Sequence, residues 1–446
     1  MGKYFGTDGA RGVANEDLGC ELAMAIGRAA ATVLTEHTHK KAKIIIGKDT
    51  RISGDMLEGA LCAGLCSVGA DVHLLGVVPT PAVAYLVSLY GADAGIMISA
   101  SHNPVQFNGI KIFDSHGFKL PDAIEEEIEH HIDHPEEIAL KTGTQLGQVH
   151  RAETAAEDYI AHILDTVNCD ASGLKVAFDC ANGSASATAR QLFGRLGATC
   201  LFMADSPDGT NINDQCGSTH IQGLCDFVVE NGCDLGLAFD GDADRCLAVD
   251  ENGQLIDGDK MIAIFAAHLK ECGALKRDTA VITVMTNMGF FEFAKNSGIA
   301  TAVTTVGDRY VLEEMRDKGY NIGGEQSGHI IFLDHATTGD GQLSGAQLIQ
   351  VLASSGKKAS QLASIMNVYP QVLKNLTVPN DKKTVLQDSA VLAEIARHEA
   401  ALGDSGRILV RASGTEPLVR VMLEGKDQAQ IEGIAQQIAD KIEERL

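Results

Sequence analysis

KIIIGKDTRISGDMLEGALCAGLCSVGADVHLL, residues 43–75, decides the fold class. Lys43–Gly47 is a β-branched run suited to a buried strand, and it enters the polar loop KDTRISG. A helix-period stretch near Asp55–Ser67 follows, then Gly69-Ala70 and a second strand, DVHLL. Strand, loop, helix, small residue and strand make a βαβ unit. The pattern recurs twice. Leu174–Asp179 (LKVAFD) leads through CANGSAS and a helix near Ala187–Leu196 to TCLFM, and Ala280–Val284 (AVITV) leads through MTNMG and a helix near Phe290–Asn296 to TAVTT. Three similar mixed α/β domains are expected rather than one doubly wound sheet, because helical and polar stretches such as Pro121–Leu140 separate the units.

The last eighty or so residues read differently. A strand near Val372–Val378 precedes a helix near Ser389–Ala400, β-rich runs at Arg407–Arg411 and Leu418–Glu424, and a terminal helix. That helix places Ile431, Ile434, Ile438 and Ile442 on one stripe behind an Asp427 N-cap, which predicts a small C-terminal α+β domain.

The 446 residues are 45% apolar and 22% charged, a globular composition, and the net charge of −24 disfavours nucleic acid and anionic membranes as partners. MGKYFGTDGARG holds no apolar signal core and has Gly6 where a myristoylation pattern needs Ser or Thr. No apolar run approaches the roughly 18 residues of a membrane span. The eleven cysteines form no C-x-x-C pair and read as reduced thiols, so a cytoplasmic protein is expected.

Five stretches carry chemistry. Gly95–Ser99 is a buried-type strand ending in Ala100-Ser101-His102-Asn103-Pro104, which sets Ser101 at a strand end; the hydrolase elbow G-x-S-x-G is absent. Asn108-Gly109-Ile110-Lys111 then supplies a cation that can face an anion beside Ser101. Asp240-Gly241-Asp242-Ala243-Asp244-Arg245 offers three carboxylates at alternate positions around a glycine, an oxygen cage for a hard divalent ion. An EF-hand reading fails because Arg245 stands where that loop needs Gly and because the flanks, LGLAF and CLAV, look like strands. Gly323–His329 (GGEQSGH) offers a carboxylate, a hydroxyl and an imidazole. Arg411–Pro417 (RASGTEP) with Arg420 offers two guanidinium groups and two hydroxyls, a set suited to a phosphate dianion. Gly339-Asp340-Gly341 is discounted as a dinucleotide loop, and His130, His131 and His134 as a metal site; they read as a solvated helix face.

Taken together, FGTDGARG at Phe5–Gly12, ISASHNP at Ile98–Pro104, DGDADR, GGEQSGH and RASGTEP make the chain closely resemble the α-D-phosphohexomutases over nearly its whole length. The resemblance implies a central cleft among four domains: 1–152 with a phosphoserine loop, 153–253 with a metal loop, 254–368 with a sugar loop and 369–446 with a phosphate site. It implies that Ser101 carries the transferable phosphoryl group and that Asp240, Asp242 and Asp244 bind one Mg²⁺ that also touches that phosphate. Arg11, His102 and Lys111 would surround the transferring group, with Arg245 beside the metal loop. Glu325 and Ser327 would read sugar hydroxyls, with His329 near and Gly307-Asp308-Arg309 as a further sugar loop. Arg411, Ser413, Gly414, Thr415 and Arg420 would clamp the non-reacting phosphate. Val105-Gln106-Phe107 departs from the aromatic and acidic residues usual in that turn.

Gln326, where glucose and mannose relatives commonly carry Met, and the stretch from Asn211-Ile212-Asn213 to His220 resemble the glucosamine branch of the family. That branch interconverts glucosamine 6-phosphate and glucosamine 1-phosphate through a 1,6-bisphosphate intermediate or primer, for amino-sugar and cell-wall precursor synthesis. Sugar phosphates are then the expected ligands and a homodimer a candidate assembly. The alternatives are a phosphomannomutase or phosphoglucomutase activity, or a Mg²⁺-dependent phosphatase with an aspartate nucleophile, which would leave Ser101 idle.

Overall fold

The computed structural model describes residues 2–6, 8–35, 41–412 and 417–446. Two contact units emerge, one of Met1–Met285 with Ile299–Ile365, the other of Thr286–Gly298 with Met366–Leu446.

The first unit holds three sheets. A seven-stranded sheet contains β1 (Phe5–Gly6), β2 (Gly9–Val13), β3 (Lys43–Lys48), β4 (Asp71–Val77), β5 (Ala94–Ile98), β6 (Phe107–Asp114) and β7 (Val149–Arg151), in the order β1-β2-β6-β5-β3-β4-β7. The second contains β8 (Lys175–Asp179), β9 (Thr199–Met203), β10 (Leu235–Phe239), β11 (Cys246–Asp250) and β12 (Leu255–Ile256), in the order β12-β11-β10-β8-β9. The third contains β13 (Thr279–Thr283), β14 (Ala300–Thr304), β15 (Ile322–Gly324) and β16 (Ile330–Phe332), in the order β14-β13-β15-β16.

Each expected βαβ unit is present, and its strands pair in parallel: β3 with β4, β8 with β9, β13 with β14. The helix read near Ala187–Leu196 is instead a 3₁₀ turn, Ser184–Ala187, and a short helix, Ala189–Gly194. The repeat is larger than the sequence disclosed. In every sheet a third strand pairs in parallel with the first, β5 on β3, β10 on β8 and β15 on β13, and then turns back into an antiparallel fourth, β6, β11 or β16. That one hairpin carries residues 99–106 in the first sheet, 240–245 in the second and 325–329 in the third. The serine loop, the triple-aspartate loop and the Glu325–His329 loop are therefore topologically equivalent positions of one repeated module.

Apolar packing stiffens the strands below these loops. Phe178 stacks on Phe193 and Phe202 with ring centroids 4.3 and 5.0 Å apart, and Phe193 lies against Phe239 of β10, one residue before Asp240. Side-chain bonds tie the modules together: Thr50 donates to the Asn182 carbonyl, Thr188 to Gln342 and Tyr159 to Asp340.

The second unit carries an antiparallel sheet, β17 (Gln371–Thr377), β18 (Gly406–Ala412) and β19 (Leu418–Gly425), in the order β17-β19-β18. The terminal helix, Gln428–Glu443, is capped by Asp427 and buries Ile431, Ile434, Ile438 and Ile442, as its periodicity predicts. They pack with Val419, Val421 and Leu423 of β19. No helix among the described residues is long and apolar enough to cross a membrane.

Candidate active site

Ser101 is the third residue past β5. Its backbone stands at φ 51°, a left-handed conformation that costs a non-glycine residue roughly 1 kcal/mol or more and persists only where surroundings impose it. Its hydroxyl donates to Asp240 Oδ2 at 2.5 Å and lies 3.3 Å from His102 Nδ1. Burial, then the Arg245 and Arg11 guanidinium groups, push His102 down to about 4, so the ring is neutral near pH 7. Arg245 Nη1 donates to its Nδ1 at 3.3 Å, which leaves Nδ1 as the acceptor facing the serine.

Asp240, Asp242 and Asp244 follow β10 and are all buried, with ligand oxygens within 4.8 Å of one another. Asp242 Oδ2 accepts from Thr80 Oγ1 at 2.6 Å and Lys111 Nζ at 2.8 Å, and Asp240 Oδ1 from the Arg245 amide at 3.1 Å. Asp242 Oδ1 and Asp244 Oδ1 are buried with no hydrogen-bond partner among the described residues. Burial, Asp244 and Asp242 together drive the Asp240 carboxyl well above the usual range. Orphaned buried oxygens and mutual repulsion are what a hard divalent cation relieves, and three carboxylates are the donor set such an ion prefers. The residues fit a Mg²⁺-type ion.

Alternating charges run outward from the triad. Lys111 Nζ lies 2.8, 3.1 and 3.7 Å from Asp242, Asp8 and Asp244; against the effect of burial, these carboxylates raise its pKa and keep it charged. Asp8 also takes Arg11 Nη2 at 2.6 Å and Lys119 Nζ at 2.7 Å, and Lys119 reaches Asp308 at 2.6 Å. His329 closes the ring: Nδ1 is 3.6 Å from Asp244 and Nε2 3.5 Å from Asp308. The Gly339 amide donates to Nε2 at 3.0 Å, which assigns the proton of the neutral ring to Nδ1, facing Asp244. A Cβ at Gly339 would stand 2.5 Å from the imidazole, so glycine at this position is what lets His329 sit there.

The 307–309 and 323–329 loops meet where the Gly307 amide donates to Glu325 Oε1 at 3.0 Å. Ser327 is exposed, and Gln326 Nε2 donates to Asp257 at 3.3 Å. Arg309 pairs with Asp122 and with Glu313, not with Glu325. In the second unit, Arg411 and Arg420 are cross-strand partners in the β18–β19 ladder, where like charges repel. Burial and Arg420 lower the Arg411 pKa, the setting a bound anion would reverse. Ser413, Gly414 and Thr415 lie outside the described residues.

The structure thus gathers Ser101, His102, Lys111, Arg11, the three aspartates, Arg245, Asp308 and His329 into one electrostatic network, buried at Ser101, Lys111, His329 and the aspartate triad. Sequence reasoning missed Asp8, Thr80, Lys119 and Asn213. Asp8 lay in plain view inside FGTDGARG, whereas the other three acquire their roles only through tertiary placement. Asn213, quoted above within a branch-specific stretch, donates to the Ser101 and Asn103 carbonyls at 2.9 and 3.2 Å. In the departing turn, the Gln106 carbonyl accepts from the Ala14 amide at 2.9 Å, so the backbone there is held regardless of side chain.

Models of the four phosphoglucomutase/phosphomannomutase domains match the chain: α/β/α domain I over residues 2–139, domain II over 157–253, domain III over 257–369 and the C-terminal domain over 373–441. The chain belongs to this family of phosphohexomutases, in which three α/β domains precede a C-terminal one. Among its relatives, the phosphoglucosamine mutase of Clostridium perfringens strain SM101 is 56% identical over 99% of both chains. A phosphoglucomutase/phosphomannomutase family protein from Burkholderia thailandensis superposes with a TM-score of 0.82 at 24% identity, covering 100% of this chain and 98% of that one. Aspergillus fumigatus N-acetylphosphoglucosamine mutase, solved with GlcNAc-6P and magnesium, gives 0.60 at 17% identity over 95% and 99%.

Proposed function

We propose that the protein interconverts glucosamine 6-phosphate and glucosamine 1-phosphate, through a phosphorylated Ser101 and a glucosamine 1,6-bisphosphate that serves as intermediate and primer. The observation that carries this reading is the Ser101 hydroxyl held 2.5 Å from an under-neutralised buried aspartate triad. The 56% identity to a named phosphoglucosamine mutase over nearly the whole chain supports the amino sugar.

Phosphoryl transfer is mostly positioning and charge neutralisation. The bond from phosphorus to Ser101 Oγ breaks as one forms to a sugar hydroxyl, giving the bisphosphate; after the sugar turns end for end, its other phosphate returns to Oγ. The attacking hydroxyl gives up its proton to solvent, neutral His102 packs beside Oγ without competing charge, and Lys111 and Arg11 offset charge on the transferring group. Asp240, Asp242 and Asp244 would hold a Mg²⁺ ion, which when bound would add electrostatic stabilisation of the transferring phosphoryl oxygens. Asp308, Glu325, Ser327 and His329, with Gly307 and Arg309, orient the sugar, Arg245 holds His102, and Arg411 and Arg420, with Ser413, Gly414 and Thr415, take the non-reacting phosphate.

The domain limits 1–152, 153–253, 254–368 and 369–446, a cytoplasmic site for amino-sugar and cell-wall precursor synthesis, and a homodimeric assembly belong to the same reading. The test compares kcat/KM for the 6-phosphates of glucosamine, glucose and mannose, each primed with its bisphosphate. Preference for glucosamine supports the reading; preference for another hexose moves the activity to a phosphoglucomutase or phosphomannomutase. Release of inorganic phosphate makes it a phosphatase.

A further inference from the structure

Arg51 lies in the KDTRISG loop beyond β3, fifty residues before the serine, and its side chain is fully buried. All five of its N–H donors are used. Nε bonds Asp49 Oδ2 at 2.9 Å. Nη1 bonds the carbonyls of Pro104 and Phe107 at 2.6 and 3.0 Å, and Nη2 those of Ser101 and Asn103 at 2.9 and 2.8 Å. A planar fork meeting four carbonyls spread over seven residues fixes the whole serine loop as one object. Asp49 extends the grip to the amide side: its Oδ2 accepts from Ser99 Oγ at 2.6 Å, and that oxygen accepts from the Ser101 amide at 3.0 Å. Both peptide groups flanking the left-handed Ser101 are thereby tied, directly or through one hydroxyl, to a single buried ion pair.

We infer that Arg51, held by Asp49, is the positioning residue of the phosphoryl-carrying loop: it imposes the strained Ser101 backbone that aims Oγ at the aspartate triad. It touches no reacting atom. The inference rests on Ser101 being the phosphoryl carrier. A lysine cannot replace the fork, because its three hydrogens radiate from one atom and cannot reach carbonyls at four positions.

Arg51→Lys and the milder Ser99→Ala test it in the full-length protein. Arg51→Lys is expected to lower kcat about 100-fold, the scale of a misplacement near 1 Å, with KM for the sugar phosphate within about threefold of wild type. Ser99→Ala moves the same way by about tenfold, and it decides the matter if Arg51→Lys fails to fold. Hydrogen exchange read by mass spectrometry should quicken in residues 99–107 and stay unchanged in the second unit. A kcat within twofold of wild type, or faster exchange spread evenly over the chain, overturns the assignment. Should the wild-type enzyme isomerise none of the hexose phosphates, the mutase reading falls, while the exchange measurement still decides whether Arg51 holds the loop.

Discussion

The molecule buries carboxylates in two contrasting ways. In the second unit, Glu424 is wholly buried and fully partnered: Asn287 and Gln371 donate to Oε1 at 3.3 and 2.8 Å, and the Met288 amide and Arg407 Nε donate to Oε2 at 2.9 and 2.8 Å. In the first unit, the triad crowds three carboxylates together and leaves two of their oxygens without a hydrogen-bond partner among the described residues. A satisfied buried charge is scaffolding. An unsatisfied cluster is tolerated only where something else completes it, and on the proposed reading the completing groups are a cation and the phosphoryl group it would face.

The contrast breaks most sharply at Ser101. Ser101→Ala should cost at least about 10⁴-fold in kcat, because the carrier itself is lost, with the melting temperature nearly unchanged. Unaltered turnover would remove the serine from the chemistry. Next is Asp240→Asn, which relieves repulsion in the metal-free triad while removing a ligand. Activity should fall about 10³-fold, yet in EDTA the variant should melt at or above the wild-type temperature, and added Mg²⁺ should raise its melting point less than it raises the wild type's. A metal-free variant that melts lower than wild type would show the triad to be structural, like Glu424.

Glu424→Gln tests the other side. It removes a buried charge that Asn287, Gln371, the Met288 amide and Arg407 all bond, and should destabilise the fold by about 2–3 kcal/mol, measured by denaturant unfolding, with kcat of the folded fraction preserved. The smallest effect is expected at Asp340, whose Oδ1 caps the helix Gly341–Ser355 and accepts from Tyr159. Burial pushes Asp340 up to about 6 from an ordinary value of 3.8, so between these values the folded chain holds the extra proton. The stability it confers is complete below about pH 4 and declines as pH rises through 6, by up to about 1.4 kcal/mol per pH unit. Asp340→Asn should therefore gain on wild type as pH goes from 5 to 7.5; a pH-independent difference would contradict the assigned shift.

Much of this was legible in the residues because local chemistry specified it. The βαβ units follow from β-branched runs and helix-period stretches, and the three aspartates advertise themselves by alternation. The terminal helix announces both its cap and its buried stripe. What stayed hidden depends on distance along the chain. The equivalence of the three loops rests on antiparallel returns such as β15 to β16, whose strands of three residues leave almost no periodic signal. Arg51 was quoted only as part of a polar loop, since nothing nearby in sequence reveals four carbonyls some fifty residues away. The ion pairs of Arg309 with Asp122 and Glu313 were equally hidden, Asp122 lying far from it along the chain.

The most direct test of the central claim follows the phosphoryl group itself. The enzyme is charged with glucosamine 1,6-bisphosphate carrying ³²P in both phosphates, digested, and the labelled peptide mapped before and after a chase with unlabelled glucosamine 6-phosphate. The account predicts alkali-labile, hydroxylamine-resistant label on Ser101 that passes into sugar bisphosphate during the chase. Hydroxylamine-sensitive label on an aspartate of the triad, or label released as inorganic phosphate, would contradict it.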